Sequence, residues 1–172
     1  MLTVRKAQLA DLPTIMQIFT EAKNYLMEQH IPQWQDGTPD QAVFTADIQA
    51  GDLYVLTDET NLLGMAALKL GPDQFYQTIT NGSWHSDQPY YAIHRFALGN
   101  LARGKHLSAK FFQALFSIIR ATKITDVRID THPQNSGMLH AIAKAGFQYC
   151  GIVEVNQEQS DPTRKAFDLN LE

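Results

Sequence analysis

Ile93–Ala109 reads IHRFALGNLARGKHLSA, and Ile129–Ile152 reads IDTHPQNSGMLHAIAKAGFQYCGI. In the first stretch the run Tyr90–Leu98 has strand character and Asn100–Lys105 turns. Leu107, Phe111, Leu115 and Ile118 then recur at helical spacing, with the helix expected to end near Ala121. A strand that feeds a tight basic turn and then a helix suits an anionic ligand. The first turn of a helix has N–H groups without intrahelical partners, and the dipole favours negative charge there. Arg103 and Lys105 add positive charge at this mouth, and Gly104 lets the backbone approach closely, so a pyrophosphate fits the turn. The turn is neither a P-loop nor a dinucleotide fingerprint, because GxxxxGK[ST] and GxGxxG are both absent. A helix start with an exposed Arg-Gly-Lys turn is the plain alternative.

Working outward, the second stretch holds a short strand, Val127–Asp130, then a helix capped by Asn135 or Ser136 and ending at Gly146. Phe147–Val155 reads as a strand, Ser160–Thr163 as a turn, and Ala166–Leu171 as a half-buried strand. Upstream, Leu2–Arg5 starts a strand. Asp11 is read as the N-cap of a helix running to about Gln29, with Leu12, Ile15, Met16, Phe19, Ala22 and Leu26 on one face. The segment 31–37 breaks that helix, and a second runs from Asp40 to Ala50 with Gly51 as its cap. Leu53–Thr57 and Leu62–Leu70 read as a hairpin around Asp58–Asn61. Gly71–Pro89 is a long loop with room for a short helix, and loops of that length in a small domain are often functional. The order β-α-α-β-β-β-α-β-α-β-β predicts an α/β fold with a mixed sheet and helices on both faces.

Length allows one domain over residues 1–172, and 44% apolar with 19% charged residues is ordinary globular composition. The net charge of -4 disfavours nucleic acid as a partner, since phosphate contacts need clustered Lys and Arg. Cys150 is the one cysteine, so no intramolecular disulfide is expected. Its position after Tyr149 in a strand reads as core packing. His30, His85 and His140 show no metal-ligand spacing, and no metal is inferred. There is no signal-peptide pattern and no run approaching a membrane span, so a cytoplasmic protein with no membrane partner is expected.

The two stretches together resemble the GNAT superfamily of acyl-CoA-dependent N-acyltransferases. The family's cofactor motif, a strand followed by [Q/R]-x-x-G-x-[G/A], falls on Arg103-Gly104-Lys105-His106-Leu107-Ser108. His106 stands at the glycine position and Ser108 at the Gly/Ala position. The second motif, a strand, an Asn, a helix, then Gly-Phe and a strand, is matched by Asn135, Gly146 and Phe147. The resemblance implies a GNAT fold, a mostly antiparallel sheet whose parallel strands 4 and 5 splay apart around pantetheine. It implies acetyl-CoA as acyl donor. Phe96, Ala97 and Leu98 would bond pantetheine, backbone N–H groups from Arg103 to Ala109 (Gly104, Lys105, His106, Leu107 and Ser108 between them) would hold the pyrophosphate, and Asn135 would reach the cofactor. The family's usual tyrosine acid lies seven residues after the motif Asn, where this chain has Ile142.

N-acetylation needs a neutral amine, so a base must take up its proton. Strand alternation puts Ala92, His94, Phe96 and Leu98 on one face. His94 is the candidate base, since His titrates near neutrality and arylalkylamine N-acetyltransferases carry a His at the comparable place. The plain alternative is a His bonded to a neighbouring strand. His132 is a second candidate for contact with substrate, or else it orders the loop before Asn135. Asp130 orients a histidine or pairs with Arg128 or Arg95. Trp34 is a candidate wall for the acceptor amine, with Tyr91 and Trp84 behind it. The expected activity is acetyl transfer by direct attack of a primary amine, small molecule or peptide, by a monomer or homodimer. The alternative is a non-catalytic GNAT-like module that binds acyl-CoA or regulates a partner.

Overall fold

Apolar residues three and four apart put Ile15, Ile18, Phe19 and Leu26 on the buried face of α1 (Leu12–Glu28). The computed structural model describes residues 1–156 and 160–172. Its strands are β1 (Thr3–Lys6), β2 (Leu53–Thr57), β3 (Leu62–Leu70), β4 (Tyr90–Leu98), β5 (Asp126–Thr131), β6 (Gln148–Glu154) and β7 (Thr163–Asn170). The remaining helices are α2 (Gln41–Ala50), α3 (Ser108–Arg120) and α4 (Ser136–Lys144). The seven strands lie in the order β1-β2-β3-β4-β5-β7-β6. β4 and β5 are parallel, while β1–β2, β2–β3, β5–β7 and β6–β7 are antiparallel, the mixed sheet expected from the sequence. No helix among the described residues is long and apolar enough to cross a membrane.

The chain forms two compact units, Met1–Leu68 with Arg95–Phe111, and Lys69–His94 with Phe112–Glu172. In the first, α1 and α2 cover β2 and β3 through a core of Ile15, Ile18, Phe19, Phe44, Val55, Met65 and their neighbours. Asp40 caps α2 by accepting from the Val43 N–H, and Gly51 ends it at φ 74°, the left-handed conformation that glycine adopts without penalty. The expectation for Asp11 is corrected. A 3-10 turn, Leu9–Asp11, precedes α1, and the Asp11 side chain caps nothing in α1. Its carboxylate instead accepts from the Gln8 N–H and takes both Arg5 nitrogens at 2.8 and 2.9 Å. The paired Arg5 beside it holds the Asp11 carboxyl below the ordinary aspartate range.

In the second unit, β5 is sandwiched by β4 and β7, and β7 by β5 and β6. Phe112 and Phe116 of α3 stack on each other and meet Phe147 edge-on. The buried stripe of α3 runs through Phe111, Phe112, Leu115, Phe116 and Ile119, so Ile119 rather than Ile118 closes it. A helix against a sheet buries a wider face than the single row that the spacing argument selected. The 71–89 loop contains the short helix allowed for it, a 3-10 turn at Gln74–Tyr76. Its aromatics pack inward with Tyr90, Ala92, Val153 and Ala166.

Candidate active site

In the first unit, β4 ends in Phe96–Leu98 and the chain turns through a 3-10 segment, Asn100–Ala102, into α3. Arg103 to His106 are all exposed, while Leu107 is buried and anchors the helix start. Gly104 has φ 74° and His106 has φ 53°. The family's glycine position therefore does take the left-handed conformation, and here an L-residue adopts it. That strain is about 1 kcal/mol. His is one of the residue types that tolerates the region. The Arg103 N–H donates to the Asn100 carbonyl and the Lys105 N–H to that of Ala102, so these two build the turn and are not free for a ligand. The Phe111 N–H donates back to the Leu107 carbonyl at 2.9 Å, so Ser108 to Lys110 make up the turn that a helix leaves without acceptors of its own. The Arg103 guanidinium lies 4.5 Å from the Tyr25 ring centroid, which gives it a resting place on α1.

Just before this stretch, Arg95 has φ 52°. A left-handed residue inside a strand breaks the alternation, so Ala92, His94, Phe96 and Leu98 do not form the single face that period two predicted. The Arg95 Nε donates to Asp47 Oδ2 of α2 at 2.6 Å, and Asp47 is 2% exposed. Phe96 rests its ring on Phe111 at 5.1 Å. Trp34, half-buried, packs on Phe19 at 5.5 Å on the rim of this unit's core.

In the second unit, His94 Nε2 lies 2.7 Å from Asp73 Oδ2. The carboxylate accepts, so Nε2 carries the proton and the Nδ1 lone pair is the basic site. Asp73 is fixed in turn, since its carboxylate caps the 3-10 turn through the Phe75 N–H and its own N–H donates to the Tyr90 hydroxyl. The Tyr76 ring lies 5.7 Å from that of His94, and its hydroxyl donates to Asp130 at 2.5 Å. Burial pushes the Asp130 carboxyl above its ordinary value, against the opposing pull of His94, Tyr76 and Arg164. Burial also pushes the Tyr76 hydroxyl well up. Asp130 thus faces inward to Tyr76, and the surface pairing with Arg128 or Arg95 is corrected. Arg128 instead lies between Trp84 and Tyr90, with its charge 4.1 and 3.9 Å from their ring centroids. Trp84 is a packing residue whose indole N–H donates to the Tyr76 carbonyl.

A carboxyl whose pKa is raised on folding supports stability at low pH and loses that support as pH rises through the folded value. Asp130→Asn keeps an acceptor for Tyr76 and removes the buried charge. Its melting temperature should match wild type near about pH 4 and exceed it near about pH 8. Parallel loss at both pH values would mean that the carboxylate is needed ionised.

His132 is 2% exposed and both ring nitrogens are bonded: Nε2 to Asp161 at 2.7 Å, Nδ1 accepting from the Gln134 N–H. Asn135 caps α4 through the Met138 N–H. Tyr91 is half-buried in β4 opposite Val127, and Ile142 is fully buried in α4. Sequence reasoning missed the pairing of Asp73 with His94 in the second unit and that of Asp47 with Arg95 in the first. Asp73 lies 21 positions from His94 and Asp47 lies 48 from Arg95, and no spacing rule links them. The one available signal was the length of the 71–89 loop.

A sequence-family model described as the Acetyltransferase (GNAT) family matches residues 19–147. The chain is a GNAT acetyltransferase. A crystal structure of a GNAT-family acetyltransferase from Streptococcus agalactiae 2603 is 33% identical, covers 99% of this chain and 96% of its own, and superposes with TM-score 0.90. The PaiA N-acetyltransferase of Thermoplasma acidophilum, solved with coenzyme A, shares the GNAT fold at 17% identity and TM-score 0.69, with 99% of each chain covered. The uncharacterised N-acetyltransferase YesJ of Bacillus subtilis strain 168 is 20% identical over 143 residues, 82% of this chain and 78% of YesJ.

Proposed function

We propose that this GNAT enzyme transfers acetyl from acetyl-CoA to a primary amine, with His94 as general base and Asp73 as the residue that orients it. The observation that carries the reading is the His94–Asp73 pair at 2.7 Å, placed in the chain directly before the cofactor stretch. Acetyl-CoA supplies the activated acyl group as a thioester. The chain's residues do the rest. Phe96, Ala97 and Leu98 offer backbone groups to pantetheine. Exposed Arg103 and Lys105, with N–H groups of Gly104, His106, Leu107, Ser108 and Ala109, serve the pyrophosphate. Asn135 is the further cofactor contact implied by the family pattern. Trp34 and Tyr91 remain the acceptor-side candidates.

The amine nitrogen forms a bond to the acetyl carbon, the C–S bond breaks, and coenzyme A leaves as thiolate. The amine proton passes to His94 Nδ1, and the imidazolium so formed is held by the Asp73 carboxylate at Nε2. A coenzyme-A thiolate is a tolerable leaving group, which suits a site with Ile142 in place of the family's tyrosine.

Calorimetric titration with acetyl-CoA, with ATP as control, tests the donor side. Saturable acetyl-CoA binding without ATP binding is expected, followed by amine-dependent thiol release. Arg103→Ala should weaken acetyl-CoA binding about tenfold, the worth of one charge-assisted contact. Unchanged affinity would place the pyrophosphate elsewhere. Acetyl-CoA binding with no thiol release for any amine would overturn the catalytic reading and leave a binding module.

A further inference from the structure

His85, Cys150 and Asp168 are apart in sequence and meet in the second unit, and none of the three is a residue assigned to acetyl transfer. His85 Nδ1 lies 2.7 Å from Asp168 Oδ1 and 3.4 Å from Cys150 Sγ. All three donor atoms fall within 4.8 Å of one another. Several local features aim them. The β6–β7 register shifts between Tyr149 and Gly151, which makes Cys150 the extra residue of a bulge, a device that redirects a side chain. Gly82 sits so close that a Cβ there would meet the Cys150 carbonyl oxygen, and Thr80 pairs with Ile152. The loop bearing His85 is thereby laid along β6. Asp168 Oδ2 accepts from the His85 N–H at 2.8 Å, which holds the carboxylate with Oδ1 toward the imidazole. Cys150 and Asp168 are buried and His85 is exposed, so the cluster is reached from solvent past the imidazole.

We propose that His85, Cys150 and Asp168 bind a zinc-type divalent cation, with water as fourth ligand. Imidazole nitrogen, thiolate sulfur and carboxylate oxygen are the donor set of tetrahedral zinc, and magnesium or calcium would not select a sulfur ligand. Metal–ligand lengths of about 2.0–2.3 Å require donor separations somewhat over 3 Å, so the Nδ1–Oδ1 pair opens by about half an ångström. The imidazole proton moves to Nε2 as Nδ1 takes the metal. The Cys150 thiol, pushed up to about 12 chiefly by burial, loses its proton to solvent, so binding releases a proton and tightens as pH rises. Thiolate and carboxylate together neutralise the ion. The sequence hid this site because no two of the ligands lie at a motif spacing: His85 is 65 positions from Cys150 and 83 from Asp168.

The test is cobalt titration of the full chain, without a histidine tag, after treatment with chelator. Cys150 is the chain's sole cysteine, so any sulfur-to-cobalt charge-transfer absorption reports on this site. One equivalent of Co²⁺ should give that absorption, zinc should abolish it, and His85→Ala should weaken cobalt binding at least about tenfold. His85 is exposed, so that variant retains the fold. No charge-transfer band, or a band of unchanged affinity in His85→Ala, would overturn the proposal. Acetyl-CoA binding is read separately by calorimetry, so failure here leaves the acetyltransferase reading standing.

Discussion

Replacing His94 by Gln should lower kcat by about 10²–10⁴-fold, the typical worth of a positioned general base, and leave acetyl-CoA affinity unchanged. Gln keeps a hydrogen-bond partner for Asp73 but cannot accept a proton. Asp73→Asn should give a smaller loss than His94→Gln, because the base remains while the carboxylate that orients it is gone. Removing both should cost little more than removing His94 alone, since the two act as a unit. A rate near wild type in His94→Gln would dismiss it as base, and a weaker acetyl-CoA affinity with unchanged kcat would make it a binding residue.

Replacing Asp47 by Ala should destabilise the protein by about 3 kcal/mol, because it strands a guanidinium in a largely buried place. The Arg95 side chain is 19% exposed and that of Asp47 3%, so water offers Arg95 little compensation. Arg95 also sits at φ 52°, and the 2.6 Å ion pair is what holds a non-glycine residue there. Urea denaturation should show a lower midpoint with an unchanged slope. Arg95→Gly relieves the backbone but removes the Asp47–Arg95 ion pair, so it too should destabilise. The double variant should recover much of the loss, with a coupling of about 2 kcal/mol. Additive losses would show that the pair does not hold Arg95 in its left-handed conformation. Because Phe96–Leu98 directly follow Arg95, a weakened acetyl-CoA affinity should accompany the stability loss.

The legible parts of the fold were those set by short-range rules. Apolar spacing placed α1, and Asp40 and Gly51 bracketed α2 as capping chemistry requires. Tyr90–Leu98 was read with its observed bounds. Cap assignments fail where a side chain has a better offer. Asp11 has the right type and place for an N-cap, but Arg5 supplies a bidentate ion pair six residues away, and the carboxylate goes there. The face of β4 was misread for a related reason. Period-two alternation assumes extended backbone at every position, and one left-handed residue, stabilised from a distant helix, breaks it.

The sequence by itself determined the GNAT assignment, the element order and the basic turn before α3, because these depend on residue type at fixed local spacing. Only the tertiary structure decided which carboxylate serves which partner. Asp73 goes to His94, Asp47 to Arg95, Asp130 to Tyr76, Asp161 to His132 and Asp168 to His85. The physical reason is that a charged hydrogen bond is specific to within a few tenths of an ångström, whereas the chain between its partners is 21 to 83 residues of freely variable path. Composition shows that acids and bases are present; packing alone brings a given pair within 3 Å and removes the water that would otherwise weaken it.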